Sequence, residues 1–233
     1  MAACIELVSP VPGKNTVLVH ADDARWEVAR AAAQELQLQV GVPLTSALLA
    51  QLQEAASRRE AAARALRYLE RRPRTQLEMR RWLAEHGYTQ RVAERVVGQL
   101  QSSGLVDDER YAQWFVEARL RQRPTGGIKL VREMCDRGVP RDIAEVAAAR
   151  VSSPEEETSR ALVAARKRLP GLRGLPRERA LGRLLRFLSG RGFNDAVVRD
   201  VCLRVLENEL DAAAHAPEMR PRANPTREGW RAE

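Results

Sequence analysis

Leu77–Leu100 reads LEMRRWLAEHGYTQRVAERVVGQL, Ile128–Val151 reads IKLVREMCDRGVPRDIAEVAAARV, and Gly182–Val205 reads GRLLRFLSGRGFNDAVVRDVCLRV. The three align without gaps. Each opens on an apolar pattern of helical period and reaches a glycine: Gly87, Gly138 or Gly192. A large apolar residue follows (Tyr88, Val139, Phe193), then a helix-starting residue (Thr89, Pro140, Asn194), then a second apolar pattern through Val92, Ile143 and Val197. These are two helices joined by a tight turn. The glycine supplies the left-handed backbone that ends the first helix. The residue before it (His86, Arg137, Arg191) sets a cation, or a potential one, against the negative end of the helix dipole. Thr89 and Asn194 cap the second helix, and Pro140 suits its first turn.

Working outward, a third helix precedes each pair. Ser57-Arg-Arg-Glu60 and Ser153-Pro-Glu-Glu156 have the form of capping boxes, and Asp107-Asp108-Glu109 places three acids where a helix N-terminus favours them. The first helices are predicted over 58–72, 108–122 and 154–168, with Pro73 and Pro124 stopping two of them. Thr75-Gln-Leu-Glu78 starts the second helix of the first unit. The expected fold is mainly α: three tandem three-helix repeats (57–106, 107–152, 153–210) in an elongated, curved array. A unit of this size buries only about 60% of its unfolded surface, so neighbours must share apolar contacts. Before the repeats, 1–56 reads as an N-terminal extension. It has short strands at Ile5–Val8, Val17–Val19 and Arg25–Val28, then helical pieces at 29–38 and 45–55. Residues 211–233 hold three prolines and little apolar pattern, and read as a flexible tail.

Composition excludes several classes. The 233 residues are 44% hydrophobic and 30% charged, which fits neither a disordered chain nor a membrane protein. No apolar run approaches the roughly 20 residues of a membrane-spanning helix, and the N-terminus lacks the cationic and apolar regions of a signal peptide. Cys4, Cys135 and Cys202 are widely spaced and odd in number, which argues against disulfides or zinc and fits a reducing cytoplasm. The net charge is +8, and only Lys14, Lys129 and Lys167 among the cations are not arginine. Residues 1–57 carry net −3, 58–106 net +6, 107–153 net +1 and 154–210 net +4. Phosphate or an acidic protein groove fits such a balance; so does an Arg-rich composition from a GC-rich genome with solvated faces.

No catalytic pattern is present: no Gly-rich phosphate loop, HExxH, GxSxG or DxDxDG. Cys135 and Cys202 occupy positions held by small or apolar residues in the other units, as structural cysteines do. The acids at 107–109 read as a cap rather than a metal cluster. Neither a cofactor nor a metal is expected. The arginines remain: Arg64, Arg67, Arg71, Arg72, Arg74, Arg80 and Arg81 crowd the first unit, and Arg119, Arg121, Arg123, Lys129 and Arg132 the second. Guanidinium forks suit phosphate and carboxylate. Trp82, Tyr111, Trp114 and Phe115 lie nearby, at spacings that favour core packing over base stacking. A helix-turn-helix reading would offer Gln90, Arg91, Glu94 and Arg95 to a duplex.

Three blocks, ALRYLERRPRT (65–75), GLVDDERY (104–111) and FVEARLRQRP (115–124), with helix–Gly–helix pairs between and after them, resemble the RecX regulatory proteins of bacteria. The resemblance is specific over 61–150 and looser over 154–210. It implies a regulator rather than an enzyme: a cytoplasmic protein that binds the RecA recombinase filament on DNA. Such a protein inhibits filament growth, ATP hydrolysis, strand exchange and the coprotease activity that triggers the DNA-damage (SOS) response. Some members also bind single- and double-stranded DNA. On that resemblance the contact candidates are Arg67, Arg71, Arg72, Arg74, Arg119, Arg121 and Arg123, to which the crowding of cations adds Arg80, Arg81 and Lys129. A monomer is expected. Thr125-Gly-Gly127 stands where many members are more basic. The alternative function is a DNA-binding or transcription-modulating protein that uses its helix-turn-helix pairs and arginine patches.

Overall fold

The computed structural model describes residues 3–214, with side chains up to Glu207. Three antiparallel strands, β1 (Leu7–Pro10), β2 (Thr16–Ala21) and β3 (Ala24–Ala29), form a meander in which Val8 faces Val19 and Val17 faces Val28. Strict alternation along β2 buries Val17, Val19 and Ala21 on one side. Helix α1 (Arg30–Glu35) follows, then α2 (Ser46–Leu69). Ile5, Val17, Val19, Val28, Leu38 and Leu52 make the core of this extension.

Helix α2 corrects the sequence reading. The helices expected at 45–55 and 58–72 are one continuous helix, capped by the Thr45 hydroxyl, which accepts from the Leu48 amide at 3.2 Å. Ser57 therefore caps nothing. No glycine or proline interrupts 46–69, and the two halves bury different faces in different cores. Leu52 and Ala55 pack under the sheet, and Ala61 and Ala65 pack into the first repeat. A helix that serves two cores has no reason to break between them.

The first repeat is completed by α3 (Gln76–Glu85) and α4 (Gln90–Ser102). The second comprises α5 (Asp108–Gln122), α6 (Gly127–Cys135) and α7 (Arg141–Ala149). The third comprises α8 (Pro154–Arg168), a 3-10 turn (Leu169–Leu172), α9 (Arg177–Gly190) and α10 (Asp195–Ala214). Helix α10 runs past the expected boundary at 210, and 215–233 lie outside the described residues. The caps explain the boundaries. Thr75, Thr89, Asp107 and Ser153 each accept from backbone amides of the following turn, and Ser153 with Glu156 forms the full reciprocal box. Pro140 is the N-cap residue of α7, not part of its first turn. The turn glycines take φ of 84°, 87° and 76°, a region closed to most side chains.

Each repeat owns a separate core, built around Met79 and Leu83 in the first, Leu130 and Met134 in the second, and Leu184 and Leu188 in the third. The units meet through helix ends, so the chain is a series of small cores linked by narrow joints.

Candidate functional site: the arginine groove at the first joint

The joint between the first and second repeats is made by the N-terminus of α3 against the α6–α7 turn. The Thr75 hydroxyl donates to the Arg137 carbonyl at 2.6 Å and accepts from the Glu78 amide at 3.0 Å. Asp108, buried at the start of α5, accepts from the Gln76 amide at 3.0 Å and so caps a helix of the neighbouring unit. Burial raises the Asp108 pKa, partly opposed by that hydrogen bond. The acid reads as a cap in the sequence, and it is one, but across the joint; only Asp107 caps α5 itself, through the Glu109 and Arg110 amides. Leu77 lies against Gly138, where a Cβ would overlap it.

Above this joint lies a groove of about 860 Å³ lined by the end of α2, the 70–74 loop, the 104–107 loop and the first turns of α5. Its cations are Arg71, Arg72, Arg74 and Arg110, its acids Glu70 and Asp107, and its apolar wall Leu66, Leu69, Leu105 and Trp114. Leu66 and Leu105 are exposed, at 44% and 55%. Arg72 is held by Glu78 through two bonds of 3.1 Å. The Arg74 guanidinium lies 3.9 Å from the centre of the Tyr68 ring, which stacks on Trp82 at 4.5 Å. Burial, then the Arg72 charge, lowers the Arg74 pKa, and its Nε is buried without a partner among the described residues. Two neighbouring guanidiniums fixed beside an apolar wall form a ready seat for an anionic side chain.

Arg71, Arg72 and Arg74 converge on the groove. Arg67, Arg81 and Arg121 are exposed, and no ion pair holds them among the described residues. Arg80 donates to the Gln76 side chain at 3.1 Å. Arg119 is an internal strut: it binds Glu133 of α6 through Nε at 2.7 Å and also through its terminal nitrogen. Exposed Arg123 reaches the same Glu133 at 3.8 Å. Lys129 donates to the Gly190 carbonyl at 3.2 Å, so it belongs to the second joint. Tyr111 and Phe115 are core, as their spacing predicts, and Trp82 stacks inside its unit. Cys202 is buried, its thiol pushed up to about 11 by desolvation, which suits a structural role. Arg110 was missed. Its signal was its i,i+4 spacing to Trp114 within a matched block.

The comparisons with known proteins agree with this architecture. Residues 61–100 match the family model for the RecX first three-helix domain, and 107–147 match that for the RecX second three-helix domain. The regulatory protein RecX of Streptomyces coelicolor is 32% identical over 157 residues, covering 67% of this chain and 82% of that protein. This chain belongs to the RecX family of regulatory proteins. The regulatory protein RecX of Prosthecochloris aestuarii is 34% identical over 150 residues, covering 64% of this chain and 96% of its own. A crystal structure of a regulatory protein RecX superimposes with a TM-score of 0.74 at 22% identity, over 85% of this chain and 98% of that one. RecX from Lactobacillus salivarius gives 0.60 at 18%, over 65% and 97%. The fold is shared with both. The first RecX match begins at residue 61, inside the continuous α2, which fits a family unit that starts where the Ala61–Ala65 face enters the repeat core.

Proposed function

We propose that this RecX-family chain binds the RecA recombinase filament on DNA through the groove at the first joint. Acting as a cytoplasmic monomer, it inhibits filament growth, ATP hydrolysis, strand exchange and coprotease activity, and thereby regulates recombination and the DNA-damage response. The observation that carries this reading is the chemistry of the groove. Leu66, Leu105 and Trp114 supply apolar contact, and Arg71, Arg72, Arg74 and Arg110 flank it. Apolar anchors rimmed by arginine are the composition of protein-binding hot spots. Separate cores joined in series also suit a partner that itself repeats.

The test is ATP hydrolysis by the cognate recombinase on single-stranded DNA. Full-length protein lowers the rate, and the double substitution Arg71→Glu, Leu105→Asp raises the concentration needed by about tenfold or more. An unchanged rate under excess protein at modest salt overturns the reading. The duplex-reading alternative loses support in α4. Arg91 and Arg95 lie 3.1 and 4.0 Å from Glu54 of α2, and Gln90 is bonded to Glu94. No helix among the described residues is long and apolar enough to cross a membrane.

A further inference from the structure

The N-terminal sheet has an edge that the chain itself covers only in part. Just before β1 that edge is paired. The Ile5 amide donates to the Val42 carbonyl at 3.0 Å, the Gly41 amide to the Ile5 carbonyl at 2.8 Å and the Leu44 amide to the Ala3 carbonyl at 2.7 Å. The covering segment then leaves the edge through a turn in which the Val42 amide donates to the Gln39 carbonyl at 3.2 Å. Along β1 the Val11 amide bonds the Thr16 carbonyl at 3.0 Å, so by alternation Ser9 and Leu7 face β2 and Val8 turns its N–H and C=O outward. No backbone bond meets those two groups among the described residues. Pro10 adds an outward carbonyl and, having no N–H, ends the edge.

Against this open edge lies a trough of about 660 Å³. Val8, Val17, Leu38 and Val42 form its floor, and the exposed side chains of Gln34, Gln37 and Gln39 its rim. Gln37 holds a φ of 49°, where glycine or asparagine is usual. Glycine would make this turn without strain; glutamine keeps an amide over the trough. At the other end Arg30 is shared with a second hollow of about 450 Å³, which continues along the 10–15 loop and includes Lys14. Residues 1–57 carry net −3, yet Lys14 and Arg30 are the only charged side chains that line either hollow. Arg30 opens α1, where the helix dipole gives a cation no support, and joins no ion pair among the described residues. Lys14 reaches Glu27 only at 3.8 Å.

We propose that the β1 edge and this trough bind an extended segment of a partner protein as an added strand, with an apolar side chain on the valine floor and an Asp or Glu side chain at Arg30 and Lys14. The edge has already accepted one strand, the 41–44 segment, and the open part continues the same line. The outward groups of Val8 and the glutamine amides bond a backbone of any sequence, while the floor and the two cations select the side chains. The hollow runs on past Arg30, so the acid is an internal residue of the segment rather than a terminal carboxylate. The site is separate from the arginine groove, which is built by other elements.

The test contains no recombinase, so its outcome is independent of the proposed function. Full-length protein selects from a phage-displayed library of random peptides of about twelve residues, with soluble Arg30→Glu protein as competitor. The enriched peptides carry an apolar residue near an internal Asp or Glu. Synthetic copies, followed by fluorescence anisotropy, lose affinity about tenfold or more on Arg30→Gln, Lys14→Gln, and by a similar factor when the peptide acid becomes its amide. Arg71→Gln in the groove leaves binding unchanged. On the parent protein, single N-methylation along the peptide weakens binding at every second residue, as an added strand requires, and exchange of the Val8 amide slows on binding. Failure to enrich any peptide overturns the proposal. So does binding that ignores the Arg30 and Lys14 changes, falls equally with Arg71→Gln, needs a free terminal carboxylate, or shows no period of two under N-methylation.

Discussion

The two joints use one plan with different materials. At each, the N-terminus of one unit's second helix meets the glycine turn of the next unit, and an acid from the next unit's first helix accepts a backbone amide. Gln76 N–H with Asp108 at the first joint corresponds to Gly127 N–H with Glu157, at 3.2 Å, at the second. At the first joint the contact runs through side chains, Thr75 to the Arg137 carbonyl and Leu77 onto Gly138. At the second it runs backbone to backbone, with the Gly126 amide on the Arg191 carbonyl at 3.0 Å and the Ile128 amide on the Gly192 carbonyl at 3.2 Å. Arg74-Thr75 in one corresponds to Thr125-Gly126 in the other. Side chains hold the first pair of units apart and line a groove with guanidinium. Glycines let the second pair close. The residues that leave Thr125-Gly-Gly127 less basic than expected are those that build the tighter joint.

The largest expected effect tests that closure. A Cβ on Gly126 would overlap the Gly192 carbonyl, so Gly126→Ala should lower stability by about 3 kcal/mol or more and melt the third unit first, as followed by calorimetry. A melt indistinguishable from the parent's would remove the distinction between the joints. Next come the struts between first and second helices. Tyr68 and Trp82 stack where the second unit places Arg119 and Glu133. Tyr68→Ala should cost about 2–3 kcal/mol, since it also frees Arg74; Arg119→Ala should cost about 1–2. Chemical denaturation measures both, and an equal loss would mean the aromatic strut adds nothing beyond the ion pair.

Asp108 sharpens the picture further. Asp108→Ala leaves the Gln76 amide without its acceptor and should cost about 1–2 kcal/mol, whereas Asp108→Asn keeps an acceptor and should cost less. The sign of the pH effect is fixed. With the folded pKa raised, the native state binds the proton more tightly, so this group's contribution falls as pH rises from the ordinary carboxylate range through the folded value. The parent's advantage over Asp108→Asn should therefore be largest in acid and shrink on going toward neutral pH. The smallest effect has the opposite direction. Gly98, inside α4 with open space around it, should tolerate alanine and gain about 0.5–1 kcal/mol, a control for the joint glycines.

Much of the fold was legible because its signals are local. The turn glycines, the caps at Thr75, Thr89, Asp107 and Ser153, and the prolines that end helices each act within one turn of chain. The failure at Ser57 has the same origin. Its Ser-x-x-Glu pattern satisfies the local rule, but a cap forms only where the backbone leaves the helix, and two distant cores keep α2 intact. The arginines were legible as a class and not as individuals. Arg71, Arg72 and Arg119 look alike in sequence; one is exposed in the groove, one is clamped by Glu78 and one spans α5 to α6.

By itself, then, the sequence determined the helices, their ends and the threefold echo, because hydrogen bonds three or four residues apart and the backbone freedom of glycine need no distant partner. Only the tertiary structure decided which charges are free, that a single helix serves two cores, and that one joint closes while the other opens a groove. Those outcomes depend on groups brought within about 4 Å from tens of residues away, such as Gln76 with Asp108 and Gly126 with Arg191.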